Sequence, residues 1–240
     1  MERNREKNRQ AGPQHTLLFR IIAFFSRLQL SYLIRAMGSP RFLVMFFVFV
    51  AGATAMGIIA IMAYLTDLPL LFPPLGPSAF ILFHAPMSES ASPRSVILSH
   101  ALAVAAGLLS LRFVEMVCPG VHIIDSSVMN WYRVLAIALS MGIIGIIMVS
   151  MKCVHPPAAA SALIAAMSYL SNFEQILGLI GAVILLVFEA IIFNRIIGGL
   201  PYPIWRADLT IARSYGVLAG IPETGTTFWQ QLAAKTFQQR

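Results

Sequence analysis

Two apolar stretches of this chain each carry a Pro pair where a membrane helix would have to continue. They read LLFPPLGPSAFILF (residues 70–83) and MKCVHPPAAASALIAAM (residues 151–167). A proline ring removes a backbone donor and clashes with the preceding turn, so a regular helix cannot pass through two in succession. The residue before each Pro is pushed toward extended geometry, while Pro is well tolerated in the first turn of a helix. Each stretch therefore reads as extended chain up to the pair and a short helix after it. The first helix runs through residue 83 and the second over residues 158–170. In hydrocarbon the freed backbone groups survive only where protein or a water-filled cavity satisfies them. Two such breaks in one small chain point to a binding site between two halves.

The surroundings of the breaks are those of a membrane protein. Of 240 residues, 58% are hydrophobic and only 11% charged, and mean hydropathy is +0.78. Soluble domains sit nearer about 45–50% apolar and 25% charged. Apolar runs over residues 42–65, 96–117, 132–151 and 174–196 are each long enough to span, since a crossing takes about 20 residues. The fold class expected is an all-α integral membrane protein, with four long transmembrane helices and two half-helix segments broken at Pro-Pro. Small residues from Gly52 to Gly57 suit close helix packing in the first run. The polar stretch 84–95 reads as a loop before the second, and 118–131 as a loop before the third.

Charge sets the ends. The net charge is +7, and Arg3, Arg5, Lys7, Arg9, Arg20, Arg27, Arg35 and Arg41 all precede the first long apolar run or open it. Such a basic end is an orientation signal that stays cytoplasmic. No recognised nucleic-acid-binding fold accompanies it, so nucleic acid is not an expected partner. Residues 15–35 place Arg20, Arg27 and Arg35 on one helical face and apolar residues elsewhere, the pattern of an amphipathic interfacial helix. The chain divides into a basic cytoplasmic N-terminus with that helix (residues 1–40), a transmembrane domain (41–197) and a cytoplasmic tail (198–240). Cys118 and Cys153 have no metal-type spacing and read as inert thiols.

The two halves of the membrane domain, about 41–117 and 132–197, look like copies. Laying Pro73-Pro74 on Pro156-Pro157 brings Ser78-Ala79 onto Ser161-Ala162, Ile81 onto Ile164 and Arg112 onto Arg195. Each half is helix, broken segment, helix. With extended chain at roughly 3 Å per residue and helix at 1.5 Å, the broken segments reach about 37 and 35 Å, enough for a core of about 30 Å. If they cross, each half makes three passes and the second is inverted. If they dip and return, the halves are parallel. The crossing, inverted 3+3 arrangement is preferred, because inverted pairs of broken helices are a common transporter plan. Both arrangements put the two termini in the cytoplasm.

Half-helix starts carry a partial positive charge suited to an anion. The candidate binding residues cluster there: Pro74, Gly76 and Ser78 in one half, and His155, Pro156, Pro157 and Ser161 in the other. Small side chains allow close backbone approach, and serine hydroxyls can donate. His155 is a titratable donor beside a helix start. His100 lies within a long apolar helix and should face the bundle interior. Arg94, at a helix start, could serve an anion or a lipid headgroup, or act as a topology anchor. Arg112, Glu115, Glu189 and Arg195 read as helix-end residues that pair or snorkel. Replacing His155 by Ala is expected to weaken transport without unfolding, and replacing Ser161 by Leu to be worse. No nucleophile elbow, HExxH, Walker loop or carboxylate pair is present. No catalytic residue, metal ligand or cofactor is expected.

The segments PPLGPSA (73–79), APMSESASPRSVILSH (85–100) and HPPAAASALI (155–164) together resemble the HPP family of integral membrane proteins, named for its His-Pro-Pro motif. NRIIGGLPYPIW (194–205) is similar to the family's Tyr-Pro-x-x-Trp region in a shorter spacing. The resemblance covers roughly residues 41–205. Pro77, Ser95 and Ser99 stand where the family usually has Ala, Asn and Gly. The family's four transmembrane helices agree with the four long runs. Its plant and cyanobacterial members have been linked to nitrite transport, and some bacterial members carry regulatory domains.

The resemblance implies a multi-pass protein of a bacterial inner membrane that transports or conducts a small inorganic anion, nitrite being one candidate. Membrane lipid is the expected surrounding, and a homo-oligomer is compatible with the pattern. The competing readings are a membrane enzyme acting on a lipid or quinone near His100 and His155, and a sensor or assembly protein whose broken helices move on signalling.

Overall fold

The computed structural model describes residues 29–36, 40–118, 120, 122–124, 128–170 and 172–207. Most of the interfacial helix expected over 15–35 and the tail beyond residue 207 lie outside the described residues. All regular structure among the described residues is helical: α1 (Leu30–Ala36), α2 (Pro40–Thr66), α3 (Leu75–His84), α4 (Pro93–Val117), α5 (Trp131–Ser150), α6 (Ala158–Ala166) and α7 (Phe173–Ile191). A 3-10 turn, Glu89–Ala91, precedes α4, and α7 continues as a π-helix, Ile192–Ile197. α2, α4, α5 and α7 with its extension are long and apolar enough to cross a membrane.

The Pro pairs act where the sequence puts them. Pro74 caps α3 and Pro157 caps α6, each immediately before the first helical residue. Elsewhere the boundaries differ from the sequence reading for local reasons. The loop expected over 84–95 ends early, because the Ser92 hydroxyl accepts from the Ser95 amide and Pro93 occupies the first helical position of α4. The helix expected over 158–170 stops at Ala166. Ser168 turns the chain with a φ of 64°, and the Arg133 guanidinium donates to the Ala166 carbonyl at 3.1 Å.

α4 is the central helix, packed against α6, α5 and α7. Its contact with α6 depends on Gly107, where an added Cβ would stand 2.5 Å from the Ala165 Cβ and 2.6 Å from the Ala162 carbonyl oxygen. A second close approach sets the Pro69 carbonyl against Gly178 of α7. The main apolar core joins α2, α3 and α7 through Ala51, Ala55, Leu75, Leu82, Val183 and Leu186. Large apolar side chains such as Phe42, Phe49, Tyr64 and Phe188 point outward, as lipid-facing residues do.

Both broken segments run the length of the bundle. Pro69 lies against Gly178 near the start of α7, and the Asn194 amide donates to the Leu82 carbonyl at 3.0 Å beyond its end. That stretch of helical chain measures about 24 Å. The second segment starts where Ser99, near the α4 start, donates to the Cys153 carbonyl, and finishes where Arg133, at the α5 start, holds Ala166. One end of the bundle therefore gathers the starts of α2 and α4 with the ends of α3, α5 and α7. It is tied by bonds from the Ser31 amide to the Gly198 carbonyl and from the Arg94 amide to the Trp205 carbonyl, both 3.0 Å. We call it the Arg94 end. The opposite end holds residues 122–124 and 128–130.

Candidate functional site

Four polar side chains from three elements meet inside the bundle: Ser78 of α3, His100 of α4, and His155 and Ser161 at and just inside the start of α6. Each is 0% exposed. Ser78 Oγ lies 2.9 Å from His155 Nε2 and 3.1 Å from His100 Nε2. Ser161 Oγ lies 2.7 Å from His100 Nδ1, and the Ser90 carbonyl oxygen 2.7 Å from His155 Nδ1. The two imidazole centroids are 5.2 Å apart. Ser78 and Ser161, each four residues after the second proline of its Pro pair, thus occupy the two ring nitrogens of a single histidine.

The partners fix the hydrogens. A carbonyl oxygen only accepts, so His155 Nδ1 carries a hydrogen for Ser90. In the neutral ring Nε2 is then an acceptor, and the Ser78 hydroxyl donates to it. Ser78 Oγ in turn accepts from His100 Nε2–H, which leaves His100 Nδ1 to accept from Ser161. The result is one directed chain: Ser161 to His100 to Ser78 to His155 to Ser90. The Pro74 carbonyl, 2.8 Å from Ser78 Oγ, competes for the same hydroxyl hydrogen. If His155 gains a proton, Nε2 becomes a donor, and the Ser78 hydrogen must turn to Pro74. Ser78 is therefore a two-position switch set by the charge of His155.

The remaining sequence candidates are placed differently. Pro74 and Pro157 are buried beside the cluster, whereas Pro156 and Gly76 face outward. A Cβ on Gly76 would meet nothing within 4 Å, so no packing contact within the protein requires a glycine there. The first-turn amides of α6 are occupied by turn bonds to the carbonyls of His155, Pro156 and Pro157 at 3.0–3.1 Å. Pro77 has no amide hydrogen to offer in α3. The site's free chemistry thus rests on imidazole and hydroxyl groups, with the helix starts contributing their field. His100 is the eighth residue of α4, about 10 Å along its axis. The cluster therefore lies between the middle of the bundle and the Arg94 end.

Arg94 does not reach the cluster. Its guanidinium donates to the Lys152 and Met151 carbonyls at 2.6 and 2.9 Å, just past the end of α5. It lines a cavity of about 280 Å³ with Glu89, Ser92, Ser95, Lys152 and Arg206. Glu89 and Ser92 of its lining flank Ser90, whose carbonyl holds His155.

Sequence reasoning missed three features. The Ser90 carbonyl carries no side-chain signal. Arg133, 0% exposed, ties Ile123 and Val128 to the end of α6 through the Ile123, Val128 and Ala166 carbonyls. Glu189 was expected to pair or snorkel near a helix end. It is instead buried, with neither carboxyl oxygen partnered. Arg112 and Glu115 do approach each other, at 4.0 Å.

No curated protein and no solved structure matches the chain. The family model described as HPP, transmembrane region, matches residues 37–203. That span contains the four long helices, both Pro-capped half-helices and the whole His–Ser cluster. The chain belongs to the HPP transmembrane family.

Proposed function

We propose that this membrane protein carries a small inorganic anion, nitrite being the first to test, through the bundle past the His–Ser cluster, and that it is a carrier rather than an enzyme. One observation supports this most directly. Among the described residues, the hydroxyls and imidazoles of Ser78, Ser161, His100 and His155 join both broken segments to α4 by side-chain hydrogen bonds. These are neutral donors that can turn toward a guest, set in a field made positive by two helix starts. The basic cavity lined by Arg94, Lys152 and Arg206 would concentrate anions beside the residues that flank Ser90.

The end-to-end course of both broken segments supports an inverted 3+3 repeat of six passes, with both termini at the Arg94 end. Among the described residues that end carries Arg41, Arg94, Lys152, Arg195 and Arg206 against Glu89. The opposite end carries Asp67, Glu115 and Glu174 against Arg112 and Arg133. This asymmetry favours a cytoplasmic Arg94 end, in a bacterial inner membrane. The four cluster residues are closed to solvent, so this is an occluded form, opened by displacing α3 or α6 from α4.

The test is flux in proteoliposomes of the full-length protein, with nitrite, nitrate, formate and chloride offered separately. The expected result is flux of at least one anion above that of empty liposomes, strongly reduced by Ser161→Leu, whose side chain would fill the contact with His100. Absence of flux for all four would overturn the reading.

A further inference from the structure

Two further polar side chains, Glu189 and Asn194, are buried in the spanning part of the molecule. They are 5% and 0% exposed, on the buried side of α7 and its π-helical extension. Three of their oxygens, Glu189 Oε1 and Oε2 and Asn194 Oδ1, are buried without a hydrogen-bond partner. The amide orientation is fixed independently, because Asn194 Nδ2 donates to the Leu82 carbonyl at 3.0 Å. Neighbouring side chains on the same helix, Leu186, Val187 and Ala190, belong to the apolar core shared with α2, α3 and α4.

No described cation compensates this carboxyl. On α2, Arg41 and Tyr64 are exposed. On α3, His84 stacks on Phe80. On α4, Arg94 is spent on two carbonyls, His100 lies in the serine chain, and Arg112 faces Glu115. Beyond α7, Arg195 is exposed and the Tyr202 hydroxyl donates to the Ala91 carbonyl. Neither Glu189 oxygen is met by a donor. A bare carboxylate there would cost several kcal/mol. One added proton removes the charge and turns an acceptor into a donor. A metal ion would require further oxygen ligands that the apolar surroundings do not supply.

We propose that Glu189 is a proton-binding site: the carboxyl holds one proton in the closed form and gives it to water when the packing of α3 on α7 opens. A carrier that moves one proton with one monovalent anion moves no net charge, so this site would couple anion movement to the proton gradient. The coupling rests on the anion reading above, whereas the proton site does not.

Two measurements on full-length protein separate these. Infrared spectra in nanodiscs at neutral pH should show a protonated-carboxyl band that shifts in heavy water and is lost in Glu189→Gln. Exposed carboxyls are ionised at that pH and absent from the window. Glu189→Asp keeps an acid at a shorter reach, so the band should move in frequency, which serves if Glu189→Gln does not fold. A spectrum without the band, or one unchanged in both variants, overturns the proposal. In proteoliposomes, an inward proton gradient should accelerate wild-type nitrite uptake, and in Glu189→Gln the ratio of flux with and without the gradient should fall to one. A Glu189→Gln ratio equal to wild type overturns the coupling. If the wild type carries no anion, the anion reading fails and the infrared result alone decides the proton site.

Discussion

At the residue scale, Ser78 has the most consequential position, because its single hydroxyl joins two imidazoles and competes for a carbonyl. Ser78→Ala leaves the facing nitrogens of His100 and His155 without their common partner. We expect a loss of about 1–2 kcal/mol in chemical unfolding and a sharp fall in flux. Anion flux at wild-type rate in that variant would show that the chain of hydrogen bonds is only structural. His155→Ala should cost about 2 kcal/mol, since it opens a void and strands the Ser90 carbonyl. A cost of that size is compatible with the expectation that the variant weakens transport without unfolding. The cluster was legible in sequence because two Pro pairs mark it and the matching serines follow each at the same distance. Glu189 was not, because counting along an apolar run gives depth only approximately and gives no hint that the helix continues through a π-turn to Asn194.

At the element scale, the α4–α6 contact decides whether His100 and Ser161 can meet. Gly107 allows it, and any side chain there collides with Ala165 and the Ala162 carbonyl. Gly107→Val should lower stability by about 1–3 kcal/mol and reduce flux, and normal unfolding behaviour in that variant would mean the helices can part without penalty. The tail after α7 is a second tie. The Tyr202 hydroxyl donates to the Ala91 carbonyl at 2.7 Å from a fully buried position, and burial pushes its ionisation well above the ordinary tyrosine range. Because the folded form resists ionisation more than the unfolded form, this stability is fully present below the ordinary value of about 10 and is lost as pH rises beyond it. Tyr202→Phe should therefore cost about 1 kcal/mol at neutral pH and flatten the alkaline loss, measured by unfolding at pH 8 and above 10. The long helices and Pro breaks were readable from apolar run length and backbone chemistry. The shortened α6 was not, since it ends on a tertiary bond from Arg133, more than thirty residues earlier.

At the scale of the whole molecule, the broken segments connect opposite ends of the bundle, and that is directly testable. With Cys118 replaced by Ser, a cysteine placed at Lys152 and one placed at Glu174, both exposed, should be modified by an impermeant thiol reagent from opposite sides of the membrane. Labelling from one side would remove the six-pass topology. The same long-range ties also impose an order on biosynthesis. The chain from Asp67 to Pro74 enters the membrane early, yet its supports arrive late: His155 is 77 residues beyond Ser78, and Gly178 is about 100 beyond Pro69. At translation rates of about 5–20 residues per second, this uncoiled stretch waits several seconds without the groups that will shelter it. During that interval it must stay at the translocon or near the headgroups, and only the arrival of α7 lets it settle. A nascent protein ending at Ser150 should consequently be cleared by membrane quality control rather than accumulate, as pulse-chase labelling would show. The two halves are bound by their timetable as well as by their contacts, so neither half is a protein in its own right.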